Sequence, residues 1–391
     1  MSEKVLTIEE EMRQIANSKQ YSDYCLHYSA ESLRFKLLPE KIKLLSYYLM
    51  LKGEFEKLTQ AIPDEIFTSP PVTIEEFLAG PAASVSETLR HAWRKEILEY
   101  FAVGSSFSEI VFTGAAGTGK STCANYIMMF VLYRVCLLKK PQAVFGIAQE
   151  APIFFMFLNA TLEMARSINL IPFVNVLANC DAFYKVKSSQ ELHKYQGNKI
   201  PFHYIDSEAI IRFRNNISVS VGSSMQHIIG KNILAAVSDE GNLNSNDGLK
   251  IYSEVGMRIE SRFKSSSFTF KALISSSTTT DSVVSEYLDS VENYIGKSVK
   301  LCEYNRWEVF SDDPYQNGFF LCLAGSSVYP SRVLDTIEEG EMYLNGDLDL
   351  PPMCEIIKIP IEHKPLFEQD CEKMLQDIVG EYALNKRNFI L

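Results

Sequence analysis

Apolar positions change rhythm partway along this chain, and the change divides it. Over the first sixty residues they recur in short helix-spaced runs, opening at a capping box in which Thr7 and Glu10 can satisfy orphan amides reciprocally. A second Thr-x-x-Glu box, Thr73 to Glu76, opens another helix. Pro63, Pro70-Pro71 and Gly80-Pro81 break the chain around it, so residues 1–80 read as a small helical N-terminal unit. From Ser84 helix and strand alternate. The pattern predicts a helix from Val85 to Phe101, a strand from Glu109 to Thr113, a helix from Lys120 to Leu138, a short strand from Ala143 to Ala148 and a helical segment over 151–168. Ile210 to Arg214 and Ile217 to Val221 alternate around Asn215-Asn216, a pair that tolerates positive φ, which predicts a hairpin. Further strands are expected from Ile233 to Ser238, Phe268 to Ser275, Val299 to Trp307, Phe319 to Ala324 and Glu355 to Ile359. Helices between short apolar strands imply an α/β fold, a mostly parallel sheet covered on both faces. Residues 81–298 then form the core and 299–391 a C-terminal part with its own strands.

Composition supports a folded protein: 46% of the 391 residues are hydrophobic and 22% charged, so extensive disorder is excluded. The eight cysteines are scattered with no C-x-x-C pair, which points to reduced core residues rather than a structural zinc site. The polar start Met1-Ser2-Glu3-Lys4 carries no signal-peptide pattern, and the longest apolar stretch, Cys123 to Leu138, is broken by Asn125 and Arg134 and too short to span a bilayer. No membrane partner is expected. A net charge of −11 argues against a protein that coats nucleic acid through a basic surface, though not against contact through a local patch such as Lys185, Lys187, Lys194 and Lys199.

The candidate chemistry centres on Gly114-Ala115-Ala116-Gly117-Thr118-Gly119-Lys120-Ser121, which fits the Walker A pattern G-x-x-x-x-G-K-[ST] without mismatch between a predicted strand and a predicted helix. A chain of this length meets that pattern by accident roughly once in a hundred cases. Gly114, Gly117 and Gly119 let the backbone turn its amides toward phosphate oxygens, and the following helix adds its positive end. Lys120 can reach the β- and γ-phosphates, while Ser121, with Thr122 beside it, is placed to ligate Mg²⁺. The implied cofactors are ATP and Mg²⁺.

Phosphoryl transfer also needs a second metal-side ligand and a group to orient water. The apolar run from Ile233 ends in Asp239-Glu240, a Walker B-like end from which Asp239 can bind the metal and Glu240 can polarise water. The adjacent glutamate favours hydrolysis over transfer to a small acceptor. A third apolar run ends in Ser276-Ser277-Thr278, hydroxyls able to contact the γ-phosphate and report hydrolysis onward; a plain polar strand end explains them nearly as well. Arg258 and Arg262 lie four apart on one face of a predicted helix, and with Lys231 they are candidates to act in trans at a neighbouring subunit's nucleotide; a solvated basic face is the alternative. Trp93 precedes the loop and either stacks on a base or packs in the core.

With these elements placed, the chain resembles the ATPase portion of the large terminase subunits of tailed bacteriophages. The resemblance rests on the string from Thr113 to Thr122, on Gly230-Lys231-Asn232 leading into Asp239-Glu240, on the Arg258-x-x-x-Arg262-Phe263 helix before Ser276-Ser277, and on Trp307-Glu308-Val309 and the Pro360 to Asp370 stretch. It implies a P-loop NTPase of the additional-strand, catalytic-glutamate type. Lys120, Asp239 and Glu240 would be its catalytic residues, Gly114 to Thr122 its nucleotide cradle, and Ser276 to Thr278 its coupling segment. It also implies double-stranded DNA, a viral portal and a small terminase subunit as partners, a working homo-oligomeric ring, a pentamer, and a place in the cytoplasm of the infected host cell. Residues 299–391 would then be a linker toward a nuclease domain, and no nuclease activity is expected of this chain. Other P-loop DNA translocases or helicases, and AAA+-type remodelling ATPases, share the first two elements. A signalling switch is disfavoured because no N-K-x-D string follows the acidic strand, and a nucleotide kinase because no Arg-rich lid is evident.

Overall fold

The computed structural model describes residues 8–31, 40–52, 66–79, 89–102, 105–239, 248–263, 268–275, 283–310, 313–326 and 328–380. The N-terminal helices are α1 (Ile8–Ala16), α2 (Lys19–Glu31), α3 (Glu40–Lys52) and α4 (Ile74–Ala79). Thr73 and Glu76 form the expected box before α4, each side chain accepting from the other's amide at 3.2 and 2.9 Å; Thr7 of the first box lies outside the described residues. Described residues on both sides of residue 80 pack into one core. Tyr24, Tyr47 and Phe77 share one hydrophobic core with Phe130 and Phe157, and the Tyr47 hydroxyl donates to the Val144 carbonyl at 2.9 Å.

Among the described residues the main sheet has nine strands. Helix α5 (His91–Tyr100) leads into β1 (Glu109–Gly114), and α6 (Lys120–Leu137) follows the loop. Nearly every residue of α6 is buried, which fits an apolar sequence that would favour no single face. Next come the short helix α7 (Pro141–Phe145), β2 (Ile153–Leu158), α8 (Ile171–Asn179), β3 (Phe183–Lys185), β4 (Ile200–Ile205), β5 (Ile210–Arg212), β6 (Ile217–Gly222) and β7 (Ile233–Ser238). Helix α9 (Gly248–Phe263), β8 (Phe270–Ile274), α10 (Val283–Val291) and β9 (Val299–Tyr304) complete this layer. The order across the sheet is β3-β4-β5-β6-β2-β7-β8-β1-β9; β6, β2, β7, β8, β1 and β9 run parallel, whereas β5 pairs antiparallel with both β4 and β6. The β5–β6 turn carries Asn215 at φ 56° and Asn216 at φ 53°, as the hairpin prediction requires.

Three expectations are corrected. Residues 143–148 are not a strand: Pro141 opens a helix at its first turn and Gly146, at φ 65°, closes it. The segment 151–168 is not helical throughout. Its run Ile153-Phe154-Phe155-Met156-Phe157-Leu158 is a central strand, and helix begins only at Leu162, where Thr161 accepts from the Met164 amide at 3.1 Å. An uninterrupted apolar run suits a strand buried on both faces as well as a buried helix, so periodicity cannot separate them. Trp307 is not in a strand either. Asn305 and Glu308 cap each other's amides at 3.1 and 3.0 Å, ending β9 and starting α11 (Arg306–Phe310).

Strand β9 pairs with β1, so the sheet continues past residue 298. Beyond α11, β10 (Phe319–Ala324) sits between β11 (Arg332–Val333) and β12 (Glu355–Pro360) in a small antiparallel sheet. Its own core joins Trp307, Phe320, Ile359 and Phe367 to Leu375, Ile378 and Val379. No described helix is long and apolar enough to cross a membrane.

Candidate functional site

The phosphate loop is built where β1 ends and α6 begins. Gly114, Gly117 and Gly119 have φ of 88°, 68° and 96°, a conformation in which a side chain would be strained. Gly114 has a second constraint, since a Cβ there would lie 2.4 Å from the Tyr304 carbonyl oxygen. Three neighbours hold the loop. The Ala115 amide donates to the Tyr304 carbonyl at 2.9 Å and the Ala116 amide to the Asp377 carbonyl at 2.9 Å. The buried Trp93 indole donates from Nε1 to the Thr118 carbonyl at 2.7 Å. Trp93 therefore buttresses the loop from inside and is not open for a base to stack on.

Tyr304 is held in turn. Its hydroxyl donates to Glu96, its ring meets Trp93 edge-on at 5.1 Å, and Lys300 pairs with Glu96 at 2.7 Å. Burial pushes the Glu96 carboxyl up, but hydrogen bonds from Lys300, Tyr304 and Cys302 outweigh it and hold the carboxyl below its ordinary range.

These ties occupy the first two amides after Gly114. Among the described residues the Gly117, Thr118 and Gly119 amides have no acceptor, and they lead directly into the first turn of α6. Lys120 is buried, its Nζ donating to the Gly114 and Ala115 carbonyls at 3.1 and 2.5 Å. A polyphosphate replacing those carbonyls would meet a cation, three unbonded amides and a helix N-terminus together.

Asp239 follows β7 at the same edge of the sheet as the loop. The register aligns Val111 with Leu273 and Leu273 with Ser238, which brings Asp239 level with Phe112, two residues before Gly114. Strand β8 separates β1 from β7, which at the usual strand spacing puts Asp239 about 10 Å from the loop strand. Asp239 is buried and accepts from Asn169 Nδ2 at 2.7 Å. Ser121 and Asp239 offer hard oxygen donors, the kind Mg²⁺ takes alongside phosphate oxygens and water. Among the described residues no group of three or more His, Cys, Asp or Glu is arranged to hold a metal ion. Glu240 and Ser276 to Thr278 lie outside the described residues; Ser275, the last described residue after β8, donates its amide to the Phe112 carbonyl at 3.0 Å.

The basic candidates lie apart from the loop in their own chain. Arg258 pairs with Glu254 at 2.8 Å, and Arg262 is exposed in the last turn of α9, toward the strand-start edge. Lys231 precedes β7 at that edge, 5.0 Å over the Phe154 ring, and burial pulls its ammonium below the ordinary range. Lys199 pairs with Asp181, and Lys185 lies over Tyr204.

Sequence reading missed Tyr304, Asp377, Asn159 and Asn169. One of the asparagines had a readable signal: Asn159 ends an apolar run much as Asp239 does, once that run is taken as a strand.

Residues 34–313 match the model of a protein family described as "Uncharacterized protein MJ0330, N-terminal P-loop domain". No curated protein sequence matches the chain. Similar solved structures include the HK97 bacteriophage large terminase, with 11% identity over 75% of this chain and 50% of that one at a TM-score of 0.42. The large terminase of a thermophilic bacteriophage shares 12% identity over 57% of this chain and 48% of its own, at a TM-score of 0.37. The ATPase domain of the Thermus phage P74-26 large terminase shares 10% over 73% and 92%, at 0.37. The chain spans about half the length of the thermophilic-phage and HK97 proteins.

Proposed function

The chain belongs to the family of the MJ0330 N-terminal P-loop domain, and we propose that it is the ATPase motor of viral DNA packaging, hydrolysing Mg-ATP to move double-stranded DNA into a procapsid. The observation that carries the hydrolytic half is the strand order β7-β8-β1 with buried Asp239 at the edge of the sheet where β1 enters the loop. A strand between the two leaves about 10 Å, room for a γ-phosphate, a cation and an in-line water. The amides from Gly117 to Ser121 receive the phosphates, Lys120 turns from its loop carbonyls to the β- and γ-oxygens, and Thr122 supports the cradle from the first turn of α6. Ser121 and Asp239 hold Mg²⁺, which when bound neutralises charge between the β- and γ-phosphates. Glu240, next to Asp239, takes the proton of the attacking water. Ser276 to Thr278, directly after β8, pass the loss of the γ-phosphate to the rest of the subunit.

The packaging half rests on the motif set shared with large terminases. In this reading the subunit works in a homo-oligomeric ring, a pentamer, at a viral portal in the cytoplasm of the infected host cell. The N-terminal helices of residues 1–80 offer a face to a small terminase subunit, and residues 299–391 form a linker subdomain. Arg262 is the trans-acting candidate presented most openly, ahead of Arg258 and Lys231.

The test is ATP hydrolysis and duplex-DNA translocation by the chain, with Lys120→Ala and Glu240→Ala beside it. The first substitution should abolish nucleotide binding, and the second should keep binding and lose turnover. Hydrolysis that survives Glu240→Ala unchanged refutes the mechanism. Strand separation on forked DNA without duplex movement replaces packaging with a helicase role.

A further inference from the structure

Asp239 is the last member of a polar relay that runs through otherwise apolar packing. The relay starts at a backbone amide: Ala160 N–H donates to Asn159 Oδ1 at 2.7 Å. Asn159 Nδ2 donates to Asn169 Oδ1 at 3.2 Å, and Asn169 Nδ2 donates to Asp239 Oδ2 at 2.7 Å. All three side chains are at most 2% exposed. Asn169 lies in a π-helical turn, Ala165–Leu170, on a buried face whose other members include Ala165, Leu170, Phe173 and Leu177. An amide on such a face is costly unless it is bonded, and π turns are frequent where a helix must aim a functional side chain.

The direction of the relay matters more than its existence. A side-chain amide can flip, exchanging donor and acceptor ends. Here a backbone N–H, which can only donate, commits Asn159 Oδ1 and so turns Asn159 Nδ2 to Asn169. That commits Asn169 Oδ1 and leaves its Nδ2 for the carboxylate. With either amide flipped, an oxygen would face an oxygen. The last bond is charge-assisted and so the strongest of the three. The strand beneath is tied as well, the Asp239 amide donating to the Leu158 carbonyl at 2.9 Å and the Asn159 amide to Gly222 at 3.2 Å.

We propose that Asn169, oriented by Asn159, is a positioning residue that fixes the Asp239 carboxylate for the divalent cation of the nucleotide. This rests on the reading of Asp239 as the metal-side ligand. Loss of such an outer partner typically weakens metal binding 10–100-fold without touching the ligand itself. Nucleotide held by the phosphate loop alone should not notice.

The experiment titrates fluorescently labelled ADP into the full chain in EDTA and over a series of Mg²⁺ concentrations, and records the melting temperature of each variant. Asn169→Ala should bind ADP in EDTA within about twofold of the native chain, while the Mg²⁺ concentration that half-maximally tightens binding rises at least about tenfold. Asn159→Ala, which leaves Asn169 in place but free to flip, should move the Mg²⁺ requirement the same way by less. It carries the same test should Asn169→Ala fail to fold. A native Mg²⁺ requirement in a folded variant overturns the inference, as does native ADP binding that ignores Mg²⁺. A native chain that binds no nucleotide in any condition overturns the reading of the site, and this inference with it.

Discussion

Gly380→Ala is the sharpest probe of how the phosphate loop is held. Gly380 closes the segment that lies on the loop, at φ 87°, and a Cβ there would fall 2.5 Å from both the Ala115 nitrogen and the Gly114 Cα. These are backbone atoms, so no rotamer change relieves the clash. The left-handed conformation costs an alanine about 1–2 kcal/mol. Separating the two backbones also strains the Ala116 N–H bond to the Asp377 carbonyl, worth about 1 kcal/mol. The total is about 2–3 kcal/mol. With roughly 0.8 kcal/mol per kelvin of unfolding entropy for a chain of this size, Tm falls by about 3 °C. To the extent that the loop rather than the segment gives way, labelled ADP should bind at least about tenfold more weakly, since 1.4 kcal/mol is a factor of ten. Gly346→Ala is the control: Gly346 has φ 79° and no atom within 4 Å of its would-be Cβ. It should show the conformational cost in Tm and native affinity for ADP. Equal affinities for the two variants and the native chain would refute the claim that this segment shapes the loop.

Three further outcomes are expected. Trp93→Phe leaves the Thr118 carbonyl without its indole donor and should cost about 1–3 kcal/mol in thermal unfolding, with weaker ADP binding. Because Lys300, Tyr304 and Cys302 hold the folded Glu96 carboxyl below its unfolded value, its contribution is fully present above about pH 4.5 and is lost as pH falls through the folded pKa; Glu96→Gln should flatten that acid limb of Tm against pH. Glu109 accepts from Tyr252 and Tyr287 at 2.6 and 2.5 Å and pairs with Lys271 at 2.9 Å, so Glu109→Ala should cost about 3–5 kcal/mol by chemical denaturation, and Lys271→Met added to it should recover part.

What the sequence disclosed was local. The phosphate loop, α6, β7 and the Asn215-Asn216 hairpin each carry their signal within a few residues, through positive-φ positions or an unbroken apolar run. The errors at 143–148 and 151–168 share one cause: apolar runs of strand length have no period, and only pairing with β6 and β7 makes Ile153–Leu158 a strand. That error also hid Asn159, a polar residue at the loop-side end of a central strand. Tyr304, Asp377 and Gly380 bear on the loop through backbone atoms from distant positions, which no local pattern announces. The trans-acting basic residue stays a proposal, because a single chain brings none of Arg258, Arg262 and Lys231 to its own loop.

The bond from the Ala116 amide to the Asp377 carbonyl joins positions separated by most of the chain. A loop that sequence writes in eight consecutive residues is thus finished by the last described segment, and its maturation has high contact order. During synthesis β1, α6 and the parallel strands can assemble well before residue 377 leaves the ribosome, with the loop still lacking one of its ties. With the tenfold weakening expected when this tie is disturbed, saturating nucleotide would stabilise the finished subunit by about 1.4 kcal/mol more than a chain still lacking it.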